Sequence, residues 1–100
     1  MIVLMGHAHL DPSDVNEFVA DVQAIIPSTR AAEGCLFYAV ALDDASAGRT
    51  LIVERWQDQE SLTAHLDSPR VSNLLQKWMN RVRVDVSKFD ASNERTLLDL

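Results

Sequence analysis

Residues 50–70 constrain the fold most, because their pattern changes from that of a strand to that of a helix within the sequence TLIVERWQDQESLTAHLDSPR. The first part, residues 51–56, begins with three side chains of strong β preference. Because a strand sends alternate side chains to opposite faces, Ile52, Glu54 and Trp56 share one face. That face carries an apolar side chain, a carboxylate and an indole in a row, and the fold has to accommodate all three.

Two short helices are predicted after this strand. Asp58 ends the strand and is a good helix N-cap. Leu62, His65 and Leu66 recur at spacings of three and four, which places His65 between leucines that face the core. Pro69 suits the first position of a second helix. The apolar stripe of that helix consists of Val71, Leu74, Leu75, Trp78, Met79 and Val82.

The rest of the chain supplies three further strands and one long helix. Strand patterns cover residues 2–9, 35–42 and 83–89. The long helix is predicted to start at Asp11, with a proline at its first helical position, and to be weakened or kinked by Pro27. The strand at 35–42 is apolar on both faces, which indicates a central strand covered on both sides.

This order of elements predicts an α+β fold. It is ferredoxin-like, βαββαβ, with a four-stranded antiparallel sheet formed by residues 1–90. Helices on one face would leave the other sheet face bare, and a second copy packed sheet to sheet would cover it. We therefore expect a homodimer, with residues 91–100 as a C-terminal tail or as an arm on the partner subunit.

Composition limits the classes of partner. The 100 residues fit one domain, and a formal net charge of −6 disfavours nucleic acid and anionic membrane surfaces. The opening MIVLM is too short to cross a membrane and lacks the basic flank of a signal peptide. The single cysteine, Cys35, excludes an internal disulfide and is expected to be a buried structural thiol. These features predict a cytoplasmic protein.

The pattern ERWxDxESLxAHLxSPxV, together with the upstream EGCLFYAVALD, resembles the antibiotic biosynthesis monooxygenase family. The resemblance covers about residues 1–89. It implies a ferredoxin-like domain that pairs into a dimeric α+β barrel. Some members of this family oxidise electron-rich phenols, quinols or anthrones with O₂ and no bound cofactor. The resemblance therefore implies a cofactor-independent monooxygenase acting on a small aromatic substrate.

Such a reaction needs an apolar cavity, a group that helps to remove the phenol proton, and donors that orient the ring. We expect the cavity between the sheet and the two C-terminal helices. The catalytic candidates are His65, Trp56 and Glu54, and the substrate-binding candidates are Tyr38, Trp78 and Met79.

Each candidate also has a purely structural interpretation. Glu54 gains a raised pKa in an apolar environment, but it can equally form an ion pair across the sheet. His65 can take a phenol proton, or it can hold neighbouring backbone or Glu54. Trp56 and Tyr38 can be core residues, and the aromatic and methionine side chains of the last helix can serve packing alone.

Other functions remain open. A non-enzymatic binder of small aromatic molecules would keep the pocket, and an isomerase or dehydratase would need an acid–base pair but no O₂. Haem-degrading relatives use a haem-ligating histidine on the helix that reads VSNLLQKW here, and an asparagine on the first strand. This chain has no histidine in that helix and has Gly6 near the asparagine position, so both departures count against haem. His7 and His9, with Asp11 near them, are a weak metal motif or polar residues at a strand end. We predict no cofactor and no metal.

Overall fold

Four strands and three helices follow one another in a computed structural model that describes residues 1–99. Leu100, the last residue of the predicted tail, lies outside the described residues. The elements are β1 (Ile2–Leu10), α1 (Val15–Arg30), β2 (Cys35–Asp44), β3 (Arg49–Trp56), α2 (Gln59–Leu66), α3 (Pro69–Trp78) and β4 (Val82–Asp90). The predicted α+β, ferredoxin-like arrangement is confirmed.

The sheet is antiparallel with the strand order β2-β3-β1-β4. Its register places Glu54 beside Tyr38 on one side and beside Leu4 on the other. These side chains belong to the inner face, which the helices cover, and Ile52 and Trp56 share that face as predicted. The opposite face, called the outer face below, carries Met5 and Phe37, which are about half exposed.

The prediction that residues 35–42 form a central strand covered on both sides is wrong. β2 is an edge strand, and it pairs with β3 alone. Tyr38 and Val40 are buried under the helices, whereas Leu36 and Phe37 are 48% and 47% exposed. The outward side chains are as apolar as the inward ones, but no other element of residues 1–99 covers them.

The first helix begins later than predicted. Asp11 accepts hydrogen bonds from the backbone N–H and the hydroxyl of Ser13, so it closes a turn ahead of the helix. The helix itself starts at Val15. Pro27 lies inside α1, which continues to Arg30. The Arg30 guanidinium then donates two hydrogen bonds to the carbonyl of Tyr38 and so fixes the end of α1 on β2.

The predicted loop between β2 and β3 contains a short 3-10 turn, Ala45–Ala47. The side chain of Asp44 accepts from two backbone N–H groups at its start. Gly48 follows in the left-handed conformation with φ of 67°, and a Cβ atom there would lie 1.9 Å from the carbonyl oxygen of Leu10. Only glycine fits this close approach, which starts β3 in register with β1.

The switch from strand to helix after β3 occurs as predicted. The Asp58 side chain accepts a hydrogen bond from the backbone N–H of Ser61 at 2.8 Å and caps α2. Pro69 occupies the first turn of α3. Trp56 and Trp78 are fully buried, and together with Phe18 and Tyr38 they form the aromatic part of the core. Within residues 1–99, no helix combines the length and the apolar character that crossing a membrane requires.

Candidate active site

A cavity of about 200 Å³ lies between the inner face of the sheet and the three helices. Its wall is mainly apolar, and typical wall residues are Leu4, Phe18, Val22, Ile52, Leu74 and Val86. Leu66, Leu75 and Val84 also line it and are 49%, 45% and 57% exposed, so they mark its mouth. The position agrees with the sequence prediction, and the long helix α1 contributes to the wall as well.

Polar side chains enter this cavity from three elements. Tyr38 of β2 and Glu54 of β3 are neighbours in the sheet register, and His65 comes from α2. The His65 ring lies 5.6 Å from the Tyr38 ring, measured between centroids, in an edge-to-face arrangement. Three sequence-predicted residues are therefore brought together at one apolar cavity.

Glu54 is a partly buried carboxylate with one strong donor. The indole N–H of Trp56 donates to its Oε1 at 2.9 Å. Burial raises the pKa of Glu54 above its ordinary value of 4.5, and the hydrogen bond from Trp56 offsets this only in part. Among residues 1–99 no basic side chain forms an ion pair with Glu54. The alternative interpretation, an ion pair across the sheet, is therefore wrong. Glu54 is thus available as a proton acceptor.

His65 is 4% exposed, and its neighbours define its state. Its Nδ1 lies 3.0 Å from Nη2 of Arg70, and its ring stacks on Trp56 at a centroid distance of 4.6 Å. Burial and, second, the charge of Arg70 lower the pKa of His65 from 6.5 to about 4. His65 is therefore neutral near pH 7. It holds Arg70, not neighbouring backbone or Glu54.

Tyr38 is 7% exposed and lines the same cavity. Burial, and second the negative charge of Glu54, raise the pKa of its hydroxyl, which therefore stays protonated. Within the described part of the chain, no group forms a hydrogen bond with this hydroxyl. A hydroxyl that lines a cavity without an internal partner can donate to a ligand.

The remaining candidates have other positions. Trp56 is fully buried behind Glu54 and His65 and does not line the cavity. Trp78 lines it, but its indole N–H donates to Asp21 at 2.9 Å. Met79 lies outside the cavity and is 65% exposed, because α3 ends one residue earlier, at Trp78. The prediction that the apolar stripe of this helix continues through Met79 to Val82 is wrong, because the helix stops at Trp78 and Val82 begins β4.

Sequence reasoning assigned no role to Arg70, which contacts His65 and Thr29. One signal was available. Arg70 stands in the first turn of a helix, where the macrodipole disfavours a positive charge, and a cation there indicates a specific partner. The contribution of β4 to the wall, from Val84 and Val86, was also missed.

The histidine pair of β1 lies on the outer face, away from the cavity. His7 Nε2 is 3.7 Å from Asp43, whereas Asp11 is engaged in its own turn. No cluster of three or more metal-ligating side chains occurs in residues 1–99. Cys35 is partly buried, and burial raises the pKa of its thiol.

Comparison with solved structures identifies the fold. A candidate antibiotic biosynthesis monooxygenase from Deinococcus radiodurans aligns with a TM-score of 0.84 and 22% identity, over 98% of this chain and 99% of that one. The Rv0793 protein of Mycobacterium tuberculosis aligns with a TM-score of 0.82 and 23% identity, over 95% of this chain and 98% of that one. PA3566 from Pseudomonas aeruginosa aligns with a TM-score of 0.80 and 16% identity, over 92% of this chain and 94% of that one. At these identities the likeness establishes the fold.

Sequence comparisons add the family. The uncharacterized protein sll1783 of Synechocystis sp. (strain ATCC 27184 / PCC 6803 / Kazusa) is 28% identical over 76 residues, which are 76% of this chain. The match spans 52% of the length of the Synechocystis protein. The sequence pattern of the family Antibiotic biosynthesis monooxygenase matches residues 1–77, which is most of the chain. The chain therefore belongs to the antibiotic biosynthesis monooxygenase family.

Proposed function

We propose that the protein is a cofactor-independent monooxygenase that oxidises a small electron-rich phenol or quinol with O₂. The observation that carries this proposal is the polar end of the cavity. Glu54 offers a carboxylate of raised pKa, and Tyr38 and His65 offer donors beside it. An apolar, water-poor cavity with one base and two donors suits the removal of a phenol proton and the binding of the resulting anion.

Glu54 is a better proton acceptor than His65, to which the sequence prediction also gave this role. The only lone pair on a neutral imidazole nitrogen of His65 is at Nδ1, and it faces the Arg70 guanidinium at 3.0 Å. The other nitrogen, Nε2, carries the proton. His65 therefore acts in our proposal as a donor to a substrate oxygen, and Trp56 as a positioning residue that holds Glu54.

The proposed reaction begins when the Glu54 carboxylate accepts the hydroxyl proton of the substrate. The phenolate gives one electron to O₂, and the superoxide formed bonds to a ring carbon that carries hydrogen. Protonated Glu54 returns its proton to the terminal peroxide oxygen. The terminal OH of the peroxide and the hydrogen of the same ring carbon then leave as water, and that carbon becomes a carbonyl. One oxygen atom of O₂ enters the product and the other leaves as water.

The size of the cavity narrows the substrate class. A cavity of about 150 Å³ accommodates a benzene ring, and this cavity has about 200 Å³. One ring, or two fused rings that reach the mouth at Leu66 and Leu75, therefore fit better than the three rings of an anthrone. We expect monocyclic and bicyclic hydroquinones to be better substrates than anthrones.

Oxygen uptake by metal-free and flavin-free protein tests the proposal, with hydroquinones, naphthohydroquinones and anthrones as substrates. Glu54→Gln keeps the shape and the bond from Trp56, and we expect it to lower kcat by about 10²- to 10⁴-fold. Glu60→Gln, an exposed carboxylate of α2, is the matched control and should keep full activity. Full activity of folded Glu54→Gln would overturn the role of Glu54. No uptake above the spontaneous rate with any compound would reject the oxygenase, and calorimetric titration would then test binding alone.

We also propose that the working unit is a homodimer joined through the outer face. The apolar side chains of this face are Val3, Met5, Phe37, Leu51, Val53 and Phe89. Arg55 lies among them, and its Nε is buried without a hydrogen-bond partner in residues 1–99. A carbonyl or carboxylate of a second chain would supply that partner. Two ion pairs near opposite ends of β3, Arg49 with Asp43 and Arg55 with Glu94, put charges of both signs on this face, with which a second copy could pair.

The C-terminal segment is proposed to act as the dimer arm. Ala91 exchanges backbone hydrogen bonds with Met1, and Glu94 binds Arg55, so the segment starts along the sheet. Leu97 and Leu98 beyond it are 94% and 83% exposed. Two adjacent exposed leucines beyond these contacts suit a contact with a second chain.

A further inference from the structure

Arg70 occupies an unusual position for a cation. It lies in the first turn of α3, it is partly buried, and its contacts are two uncharged side chains. Its Nε donates to the hydroxyl of Thr29 at 3.2 Å, and its Nη2 lies 3.0 Å from Nδ1 of His65. Thr29 is fully buried, so the guanidinium is held at a fixed point between α1 and α2. No carboxylate within residues 1–99 forms an ion pair with it.

The chemistry of this contact has one solution. A guanidinium only donates hydrogen bonds and does not lose its proton near neutral pH. His65 must therefore accept at Nδ1, and a neutral ring that accepts at Nδ1 carries its proton on Nε2. The other titratable groups around the ring are Tyr38, with its centroid at 5.6 Å, and Glu54 at the same cavity. Within residues 1–99 neither forms a hydrogen bond with the His65 ring, so Arg70 is the described residue that sets the tautomer.

We propose that Arg70 is a positioning residue that fixes His65 as a neutral Nε2–H donor at the cavity. Combined with Glu54 as acceptor, this selects ligands that present both a hydroxyl and a separate acceptor oxygen. A ligand with a carboxylate would meet the negative charge of Glu54, and a ligand with a hydroxyl alone would leave the His65 donor unpaired. The selection rests on the proposed function, whereas the effect of Arg70 on His65 does not.

A purely structural role is the alternative, since Arg70 also ties α3 to α1 through Thr29. The two roles differ in what they do to the imidazole. ¹⁵N-labelled protein and long-range ¹H–¹⁵N correlation spectra report the protonation of each ring nitrogen without any substrate. In the wild type we expect a pyridine-like Nδ1 and a pyrrole-like Nε2 for His65 at neutral pH.

Arg70→Met removes the guanidinium and keeps an apolar chain of similar length. We expect His65 to lose its single tautomer and its titration midpoint to rise above the wild-type value, while burial still keeps the pKa of His65 below 6.5. Thr29→Val is the matched control, because it breaks the tie to α1 and keeps the positive charge, and its His65 signals should stay near those of the wild type. An unchanged His65 in Arg70→Met would overturn the proposal. So would equal changes in both variants, which would trace the effect to looser helix packing.

Arg70→Gln is the second variant, to be used if Arg70→Met does not fold. Its amide can donate or accept, so it removes the constraint on the tautomer while it retains a polar group. The same two readouts apply, and a retained Nε2–H tautomer with the wild-type midpoint would reject the role of Arg70.

Activity then tests the selection. For a substrate with a hydroxyl and a separate carbonyl or hydroxyl oxygen, we expect Arg70→Met to lower kcat/KM about tenfold, the effect of one hydrogen bond. For a monohydroxy substrate the change should be small. Equal losses for both substrates would reject the selection and leave the tautomer result standing. If the wild type shows no oxygen uptake but His65 carries its proton on Nε2, the proposed function is rejected and the role of Arg70 stands.

Discussion

At the scale of the residue, Glu54 combines features that oppose stability. Its carboxylate faces a mainly apolar cavity, and within residues 1–99 only the Trp56 indole donates to it. Burying a carboxylate favours its neutral form, which is the physical cause of its raised pKa. A group placed in this way costs stability when it is ionised, and such groups are characteristic of sites that move protons.

Replacing this carboxylate should therefore stabilise the protein at neutral pH. The pKa of Glu54 is higher in the folded protein than its ordinary 4.5, so the folded state binds the proton more tightly than the unfolded chain. The stability from this group is present below about pH 4.5 and is lost as the pH rises through the raised pKa. We expect Glu54→Gln to be more stable than the wild type at pH 7 by about 1 kcal/mol.

Urea unfolding at several pH values measures this difference. The gain of Glu54→Gln should shrink as the pH falls and should vanish below pH 4.5, where Glu54 is protonated in both states. Glu60→Gln, which removes an exposed carboxylate of α2 by the same substitution, is the control. A Glu54→Gln protein that is less stable than the wild type at neutral pH would contradict the destabilising role of the buried charge.

At the scale of the element, α1 and α3 are joined through one carboxylate that also supports the cavity wall. Asp21 of α1 accepts from the indole N–H of Trp78 at 2.9 Å and from Lys77 at 2.7 Å. The hydrogen bonds from Lys77 and, second, from Trp78 lower the pKa of Asp21. Trp78 also packs edge-to-face on Phe18 of α1, with the ring centroids 5.4 Å apart. The position of one cavity wall thus depends on this pair of helices.

We expect Asp21→Ala to lower the free energy of unfolding by about 1–3 kcal/mol, because it leaves the N–H of the fully buried Trp78 without its partner. Glu17→Ala removes only the exposed ion pair with Lys77 and should cost less than about 1 kcal/mol. Denaturant unfolding at pH 7 compares the two variants. Equal effects would mean that the charge of Lys77, not the indole N–H, links the helices.

Elements with a strong period could be predicted from the sequence together with their part of the site. Strict alternation in β3 placed Glu54 on the covered face, and the leucine stripe of α2 placed His65 opposite it. These sequence periods predict the side-chain positions correctly because the apolar face of each element packs against the same core. The meeting of Tyr38 with both residues follows from the register of β2 on β3.

The parts that could not be predicted depend on contacts between distant residues or on the ends of elements. The pattern of β2 does not distinguish an outward Phe37 from an inward Tyr38, since both are apolar enough to be buried. The Asp11 carboxylate can accept a backbone hydrogen bond either at a helix start or in a turn, and in the structure it closes a turn. Arg70 meets Thr29 across 41 positions of sequence, which no local period encodes.

At the scale of the whole molecule, the two faces of the sheet have different roles. The inner face is covered by helices and holds the cavity, whereas the outer face exposes Met5, Phe37 and Phe89 by 50%, 47% and 49%. Exposed apolar side chains that lie together on one sheet face are typical of an interaction surface. The cavity opens on the other side, past Leu66, so pairing through the outer face would leave its mouth accessible.

A methionine pair in the chain allows a matched test of this pairing. Met5 lies at the centre of the outer face on β1, and Met79, 65% exposed, follows α3. We expect the wild type to have twice the 11.2 kDa mass of one chain by light scattering after size exclusion. Met5→Glu would bury one unpaired charge from each chain of the dimer at a cost of about 3 kcal/mol apiece, which weakens association on the order of 10⁴-fold.

Met79→Glu introduces the same charge away from the outer face and should remain dimeric. Both variants should stay folded, because both methionines are substantially exposed within one chain. A wild type of 11.2 kDa at every concentration would reject the homodimer. A dimeric Met5→Glu would place the interface elsewhere, and then the buried Nε of Arg55 would need a partner other than a second sheet. A monomeric Met5→Glu beside a dimeric Met79→Glu would instead tie assembly to the face opposite the cavity.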